Sequence, residues 1–422
     1  MPRGRIRHLI ILGTAVLVLT AAQSPDPGPP AWIEVDPNAI QKADEPMGIE
    51  VDGIPQGLTV TLQILQDCNH DHRPDFQDQG ACRSPLYSWG SAKASAGNRV
   101  HDHLSFAALE KSGISLPRNQ ALWLWASRPG SQQGVLALFG LLDDPCTLWQ
   151  ATLELFHLGS CSRSTLPQAL RRHRGPLGFE GKTFEVRRLD PSGNAPPVSI
   201  AGTRGATGVA WLNAQTLLVT VAEAGSKLLC VPLHGETAIL WNGPATDGLT
   251  AAAPLALPGG KIAFVRQRLP GQEAAEGRPI AVLSLWKAGR VDPAGDIPLP
   301  FRIQQLLASS TDGRQILALS LGIGENLPTF LQVDLAQHTI QNLGYDNTLY
   351  QVAFRSPLSD ISVVSLEDNS GRQGWSLALV DGEGKLIRDL QARKQDDLLP
   401  VWQPNGKDLA YVAEIENKGV KQ

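Results

Sequence analysis

Between residues 67 and 78, oxygen-bearing side chains recur at a spacing suited to a cation. In Asp67-Cys68-Asn69-His70-Asp71-His72-Arg73-Pro74-Asp75-Phe76-Gln77-Asp78 they fall at loop positions 1, 3, 5, 9 and 12, and Arg73 stands at position 7 to offer its carbonyl. Calcium needs several hard oxygens converging on one point, and this spacing wraps a short loop around the ion. Asp67, Asn69, Asp71, Arg73, Asp75 and Asp78 are therefore the expected metal set, with Ca2+ in a structural role. Two features depart from that pattern: His72 takes position 6, where glycine normally makes the sharp turn, and Asp78 is one carbon shorter than the usual glutamate. A metal-free polar turn is the competing reading.

Two further triplets, His70-Asp71-His72 and His101-Asp102-His103, raise zinc. Residues two apart on a strand share a face, so each triplet offers a pair of imidazoles, but nothing fixes a third ligand. No catalytic set assembles. Gly159-Ser160-Cys161-Ser162 and Gly374-Trp375-Ser376-Leu377-Ala378 both miss the Gly-x-Ser-x-Gly elbow, and Gly322-Ile323-Gly324-Glu325 lacks the third glycine of a nucleotide-binding turn. The expectation is a chain that is not an enzyme.

The calcium spacing resembles the loops of EF-hand, dockerin and thrombospondin-type repeats, although the segment before it reads as a strand. Cysteines flank it. Cys68 and Cys82 enclose one short loop, Cys146 and Cys161 another, and Cys230 is left in the apolar run Leu228-Leu229-Cys230-Val231. Four cysteines permit three pairings; local pairing is the expectation, because each bridge would staple a loop that lacks a core of its own. Cys230 reads as a small core residue.

The elements that must position these residues follow from composition and pattern. The chain has 422 residues, 42% hydrophobic and 18% charged, with a formal charge of −4, which allows a packed core and more than one domain. Residues 1–24 read as a signal peptide: Arg3, Arg5 and Arg7 precede an apolar run, Leu9 to Leu19, and then Thr20-Ala21-Ala22. Removing those arginines from 37 basic residues leaves 34 against 41 acidic ones, a balance of −7 that gives nucleic acid no electrostatic footprint. An exported chain, periplasmic or secreted, is implied, with no membrane span once the signal is cleaved.

Residues 31–160 are expected to form a β-sandwich domain. Ile49-Glu50-Val51-Asp52 and Leu58-Thr59-Val60-Thr61-Leu62-Gln63-Ile64 alternate at strand period, and Ala121–Ala126 and Gly134–Phe139 read as buried strands. An immunoglobulin-like sandwich is the economical fold. The run from Asp44 to Thr61 also resembles the opening of the N-terminal sandwich of the acyl-CoA thioester hydrolase and bile-acid acyltransferase family. Residues 162–181, with Arg171-Arg172-His173-Arg174 and several Pro and Gly, read as a linker whose charges are solvated.

The second half repeats. Leu399-Pro400-Val401-Trp402-Gln403-Pro404-Asn405-Gly406-Lys407-Asp408-Leu409-Ala410-Tyr411-Val412 sets a proline and an aromatic before a tight turn and an apolar strand after it. Weaker copies carry Asp312-Gly313-Arg314, Pro258-Gly259-Gly260-Lys261, Val352-Ala353-Phe354 and Val209-Ala210-Trp211. The positions equivalent to Trp402 are 211, 256, 309, 354 and 402, an interval suited to a four-stranded blade, with an aromatic at 211, 354 and 402. This motif resembles the blade of TolB-type (WD40-like) β-propellers. The expected fold is thus all-β: a sandwich followed by a propeller of about five blades over residues 182–416. A spare strand pair, Thr183 to Ile200, is expected to join the last copy and close the ring without an exposed edge.

The TolB-type resemblance implies a noncatalytic periplasmic platform that grips an envelope protein or a small ligand on its blade loops. The alternative is the propeller portion of a truncated or split prolyl-oligopeptidase-like serine hydrolase. This chain ends just after the ring would close, so that hydrolase would have to be encoded separately.

Overall fold

The computed structural model describes residues 32–35, 46–70, 73–95, 99–118, 120–129, 134–140, 145–158, 182–193, 195–222, 226–243, 248–268, 279–321, 328–344, 354–367, 375–382, 385–390 and 396–415. The signal segment 1–24, the linker 162–181 and Cys161 lie outside them.

The N-terminal half contains β1 (Trp32–Val35), β2 (Met47–Asp52), β3 (Thr59–Leu65), β4 (Tyr87–Lys93), β5 (Val100–Leu104), α1 (Phe106–Lys111), β6 (Leu122–Ser127), β7 (Gly134–Phe139) and α2 (Pro145–Leu155). Strands β1-β2-β5 form one sheet, and β7-β6-β3-β4 part of another. Ile49 and Val51 of the first meet Val60, Leu62, Ile64, Leu124 and Phe139 of the second in one core. The alternation seen in the sequence puts these residues on a common face. Helix α1 closes the core with Phe106 and Leu109, its start capped by Ser105, whose hydroxyl accepts from the Ala108 amide at 3.3 Å.

β6 is buried along its whole length because both of its faces are covered. The face opposite the core carries Leu65, Trp123, Trp125, Leu136 and Leu138, and α2 packs there through Trp149 and Leu153, with Phe156 just after it. The cysteine spacing predicts a stapled loop over residues 146–161. They include a helix because Trp149, Leu153 and Phe156 recur at helical spacing and find this apolar face.

The C-terminal half begins with β8 (Thr183–Leu189) and β9 (Val198–Ser199). Four sheets follow in chain order. Sheet I holds β10 (Ala206–Asn213), β11 (Thr216–Val221), β12 (Lys227–Pro232) and β13 (Ala238–Asn242). Sheet II holds β14 (Thr250–Leu257), β15 (Lys261–Gln267), β16 (Ala281–Lys287), β17 (Arg290–Val291) and β18 (Ile297–Leu299). Sheet III holds β19 (Ile303–Ser309), β20 (Gln315–Leu321), β21 (Pro328–Asp334) and β22 (Thr339–Gly344). Sheet IV holds β23 (Ser362–Glu367), β24 (Trp375–Val380) and β25 (Leu386–Asp389); Val352 and Ala353, expected in its first strand, lie outside the described residues. Sheet V joins β26 (Asp397–Trp402) and β27 (Leu409–Ile415) to β8 and β9.

The expected pairing of the spare strands with the last repeat is present: β27 runs antiparallel to β8 from Leu409↔Leu189 to Ile415↔Thr183. Shared cores link the sheets in a cycle. Ala210 and Leu218 of sheet I meet Ile262 and Phe264 of sheet II. Ala263 and Val265 of sheet II meet Ile316 and Ala318 of sheet III. Leu317 and Leu319 of sheet III, Leu377 of sheet IV and Tyr411 of sheet V share one cluster, and Val186 and Val412 of sheet V return to Val209 and Val219 of sheet I. The repeated aromatics reinforce these seams. The Trp402 indole donates to the Phe354 carbonyl at 2.8 Å, and the Trp211 indole to the Val401 carbonyl at 3.3 Å, so each tryptophan reaches the equivalent stretch of the preceding repeat.

Sheet III is not confined to its repeat. β22 pairs in parallel with β7 (Ile340↔Val135, Gln341↔Leu136, Asn342↔Ala137), so an eight-stranded sheet runs from β19 to β4. The two halves therefore share a sheet. One of its faces packs on sheet II and then on β2 and β5; the other packs on sheet IV and then on α2.

Candidate functional site

The loop expected to hold calcium lies where the halves meet. Cys68 and Cys82 are disulfide-bonded, as local pairing required. Within the loop the Cys68 amide donates to Asp75 Oδ2 at 2.7 Å, Gln79 Nε2 donates to Asp75 Oδ1 at 2.6 Å, and the Ser84 amide donates to Asp78 Oδ1 at 2.8 Å. The Ser84 hydroxyl returns a bond to the Asp75 carbonyl. Asp75 and Asp78 thus fold the loop by accepting from it, the local chemistry that favours aspartate in turns. Asp67 is buried, Asn69 exposed and Asp71 outside the described residues. Among the described residues, no three His, Cys, Asp or Glu side chains gather at a metal-binding point. The structure thus brings Asp75 and Asp78 into one bonded unit.

Arg73 has a role its spacing did not suggest. Its Nη2 lies 3.1 Å from Asp312 Oδ2, in the turn between β19 and β20. Phe76 meets the Trp125 ring edge-on with centroids 5.0 Å apart, and His157, after α2, bonds to the Thr311 hydroxyl. Asp312 is held by its own turn as well. The Ser310 hydroxyl, the Arg314 amide and then the Arg73 guanidinium bring its carboxyl down to about 2, against the opposing effect of desolvation.

A carboxylate with a lowered folded pKa stabilises fully above its unfolded value, near 4, and that gain is lost as pH falls through about 2. Half of the Asp312 side chain faces water, so the gain is about 1 kcal/mol or less. Asp312→Asn, which keeps a turn-capping oxygen but removes the charge, is expected to lower the melting temperature slightly at pH 6. The difference from wild type should vanish towards pH 2. An undiminished difference at pH 2 would mean that the charge is not its cause.

His101 and His103, the other imidazole pair, stand exposed on β5. His101 Nδ1 is 3.5 Å from Glu50 Oε2, and Arg99 pairs with Glu50 at 2.9 Å and Asp52 at 2.7 Å. Asp102 points elsewhere and accepts from the Trp89 indole at 3.1 Å. His101 and Arg99 thus line up with the acidic residues of β2 across the β2–β5 pairing.

The turns after positions 309, 354 and 402 form the other candidate surface. Three share one register: Ser310 N donates to the Gln315 carbonyl, Ser356 N to that of Ile361 and Gln403 N to that of Asp408, at 2.9, 2.7 and 2.8 Å. Gly313 and Gly406 take φ of 65° and 66°, the left-handed conformation that glycine reaches without strain. Asp312 and Asn405 precede them and cap the turns, accepting from the Arg314 and Lys407 amides at 2.9 and 3.0 Å.

Consecutive antiparallel sheets of one design, joined through shared cores and sealed by the pairing of an early strand with the last repeat, define a β-propeller. Over 131 residues the chain is 30% identical to the Tol-Pal system protein TolB of Thioalkalivibrio sulfidiphilus, covering 31% of this chain and 28% of that protein. It is 25% identical over 131 residues to TolB of Legionella pneumophila, covering 31% and 29%. The chain thus matches less than a third of the length of these curated relatives. No family profile matches. Among solved structures, the Dos1 propeller aligns at 7% identity and TM-score 0.25 over 87% of this chain and 89% of that one. A prolyl endopeptidase aligns at 13% and 0.23 over 72% and 47%. Among the described residues, no helix is long and apolar enough to cross a membrane.

Proposed function

We propose that the chain is an exported, noncatalytic propeller of five blades that acts in the envelope as a binding platform for a protein or small ligand, with an immunoglobulin-like sandwich holding it in place. The observation that carries this reading is the closed cycle of sheets, which sets turns from successive repeats side by side on a rigid frame. The TolB likeness, partial in length, supports the periplasm as the compartment, and the signal-like segment 1–24 agrees with it. Loops on a rigid scaffold are where binding residues concentrate.

The test is retention of an envelope protein by the purified, immobilised chain from an envelope extract, with and without calcium. One partner retained at stoichiometric levels is expected. Labelling of the chain by a fluorophosphonate, which reports an activated serine, would reject the noncatalytic reading.

Calcium in the 67–78 loop is a second, smaller proposal, carried by the ligand spacing. Binding would draw Asp75 and Asp78 away from the amides they now accept, so affinity is expected in the weak, extracellular range of about 10⁻⁴–10⁻³ M. Calorimetric titration with Ca2+ that gives neither heat nor a thermal shift would remove the site.

A further inference from the structure

We propose that Leu358 is the apolar anchor through which the turn face of this propeller takes its partner protein; this deepens the platform reading above and rests on it. The register of the three turns places Leu358 at the position of Asp312 and Asn405. Those two residues cap their turns with a side-chain oxygen, which leucine lacks. In this turn the capping passes to Ser356, whose hydroxyl accepts from the Leu358 amide at 3.2 Å. The following residue is Ser359 where the other two turns have glycine. Local turn chemistry therefore gives no reason for leucine here, and such departures from local consistency gather at functional positions.

Leu358 is also 71% exposed, the most exposed of the large apolar side chains among the described residues. It is not loose. A Cβ built on Gly406 in the next repeat would come within 2.6 Å of Leu358 Cγ and 2.9 Å of Cδ1, so the bare glycine face is the seat on which the leucine rests. The Gly313 turn receives Pro258 of the preceding repeat in the same way, at 3.0 Å. Contact with that face on one side removes some of the side chain's freedom before any partner arrives, which lowers the ordering cost of binding. Around it the rim is polar and carries both signs: Asp360, 81% exposed and paired to Arg355 at 2.8 Å, and the exposed Lys407. An apolar centre inside a mixed-charge rim is the anatomy of a protein interface. It fits a partner with one leucine-sized pocket, a basic group opposite Asp360 and an acidic group opposite Lys407.

The experiment places a photoreactive benzophenone amino acid at 358, and at Ile239, 60% exposed, as control, in the full-length chain exposed to envelope extract. A single heterologous adduct from position 358 is expected. Leu358→Asn, which restores the turn-capping oxygen, should lower retention of that same protein at least about tenfold with an unchanged melting temperature. Ile239→Asn should leave retention as in wild type. Wild-type retention by Leu358→Asn would overturn the anchor while leaving the platform reading intact. So would an adduct of two copies of this chain, or a fall in melting temperature large enough to make Leu358 structural. If the wild-type chain retains nothing, the platform reading fails and the anchor with it.

Discussion

Tyr411→Ala is expected to cost about 3–5 kcal/mol of unfolding free energy, the range for removing a large buried aromatic. Tyr411 is fully buried on β27, the strand that pairs with β26 on one side and β8 on the other. Its ring lies in the cluster that joins sheets III, IV and V, so the cavity would open at the seam where the ring is closed. Neighbouring sheets are tied into the same cycle and cannot collapse to fill it without moving a whole sheet. The cost should therefore fall near the top of the range. Ile239→Ala, on an exposed outer strand, should change stability by no more than about 0.5 kcal/mol. Urea unfolding of both variants decides the matter. A loss below about 1 kcal/mol for Tyr411→Ala would mean that this seam does not govern the stability of the ring.

The second large effect concerns the junction of the two halves. Leu136→Pro should remove an amide from β7, which pairs with β22 on one side and β6 on the other, and empty a buried site, costing about 3 kcal/mol or more. Leu136→Ala keeps the amide and isolates the side-chain part. The shared sheet predicts a single calorimetric transition for the wild-type chain, because neither half has a finished edge without the other. In Leu136→Pro the transition should split in two. The junction would be refuted by a wild-type profile that is already split, or by a variant that melts as one unit at the wild-type temperature. The Arg73–Asp312 pair, which also joins the two halves, is expected to contribute less, since it is partly in water.

The repeat was legible because turn chemistry is local. Asn405-Gly406 and Asp312-Gly313 specify their hairpins with two residues each, and the apolar strands that follow alternate within a few positions. The pairing of Thr183–Leu189 with the last repeat was also accessible, through counting: the final copy had no second hairpin, and a spare one stood upstream. The disulfide followed from the short loop between Cys68 and Cys82. The N-terminal strands were visible as alternating or continuous apolar runs, and α2 was hidden by its cysteine and its shortness.

The 67–78 loop was legible only in part. The spacing marks Asp75 and Asp78 as oxygen donors to a cation, and without one their oxygens accept from Cys68, Gln79 and Ser84. Spacing gives the reach of a side chain but not which donor arrives first. The spacing points to the carbonyl of Arg73, and it is the guanidinium that meets a turn 239 residues away.

The sequence by itself determined the β class, the repeat and the residues that turn each hairpin, since all of these depend on neighbours within a few positions. Tertiary structure alone decided that β7 lies against β22, that Arg73 faces Asp312, and that Leu358 sits on the bare face of Gly406. Those contacts join segments far apart in the chain. Their energies arise from edges and surfaces that do not exist until the separate sheets have formed.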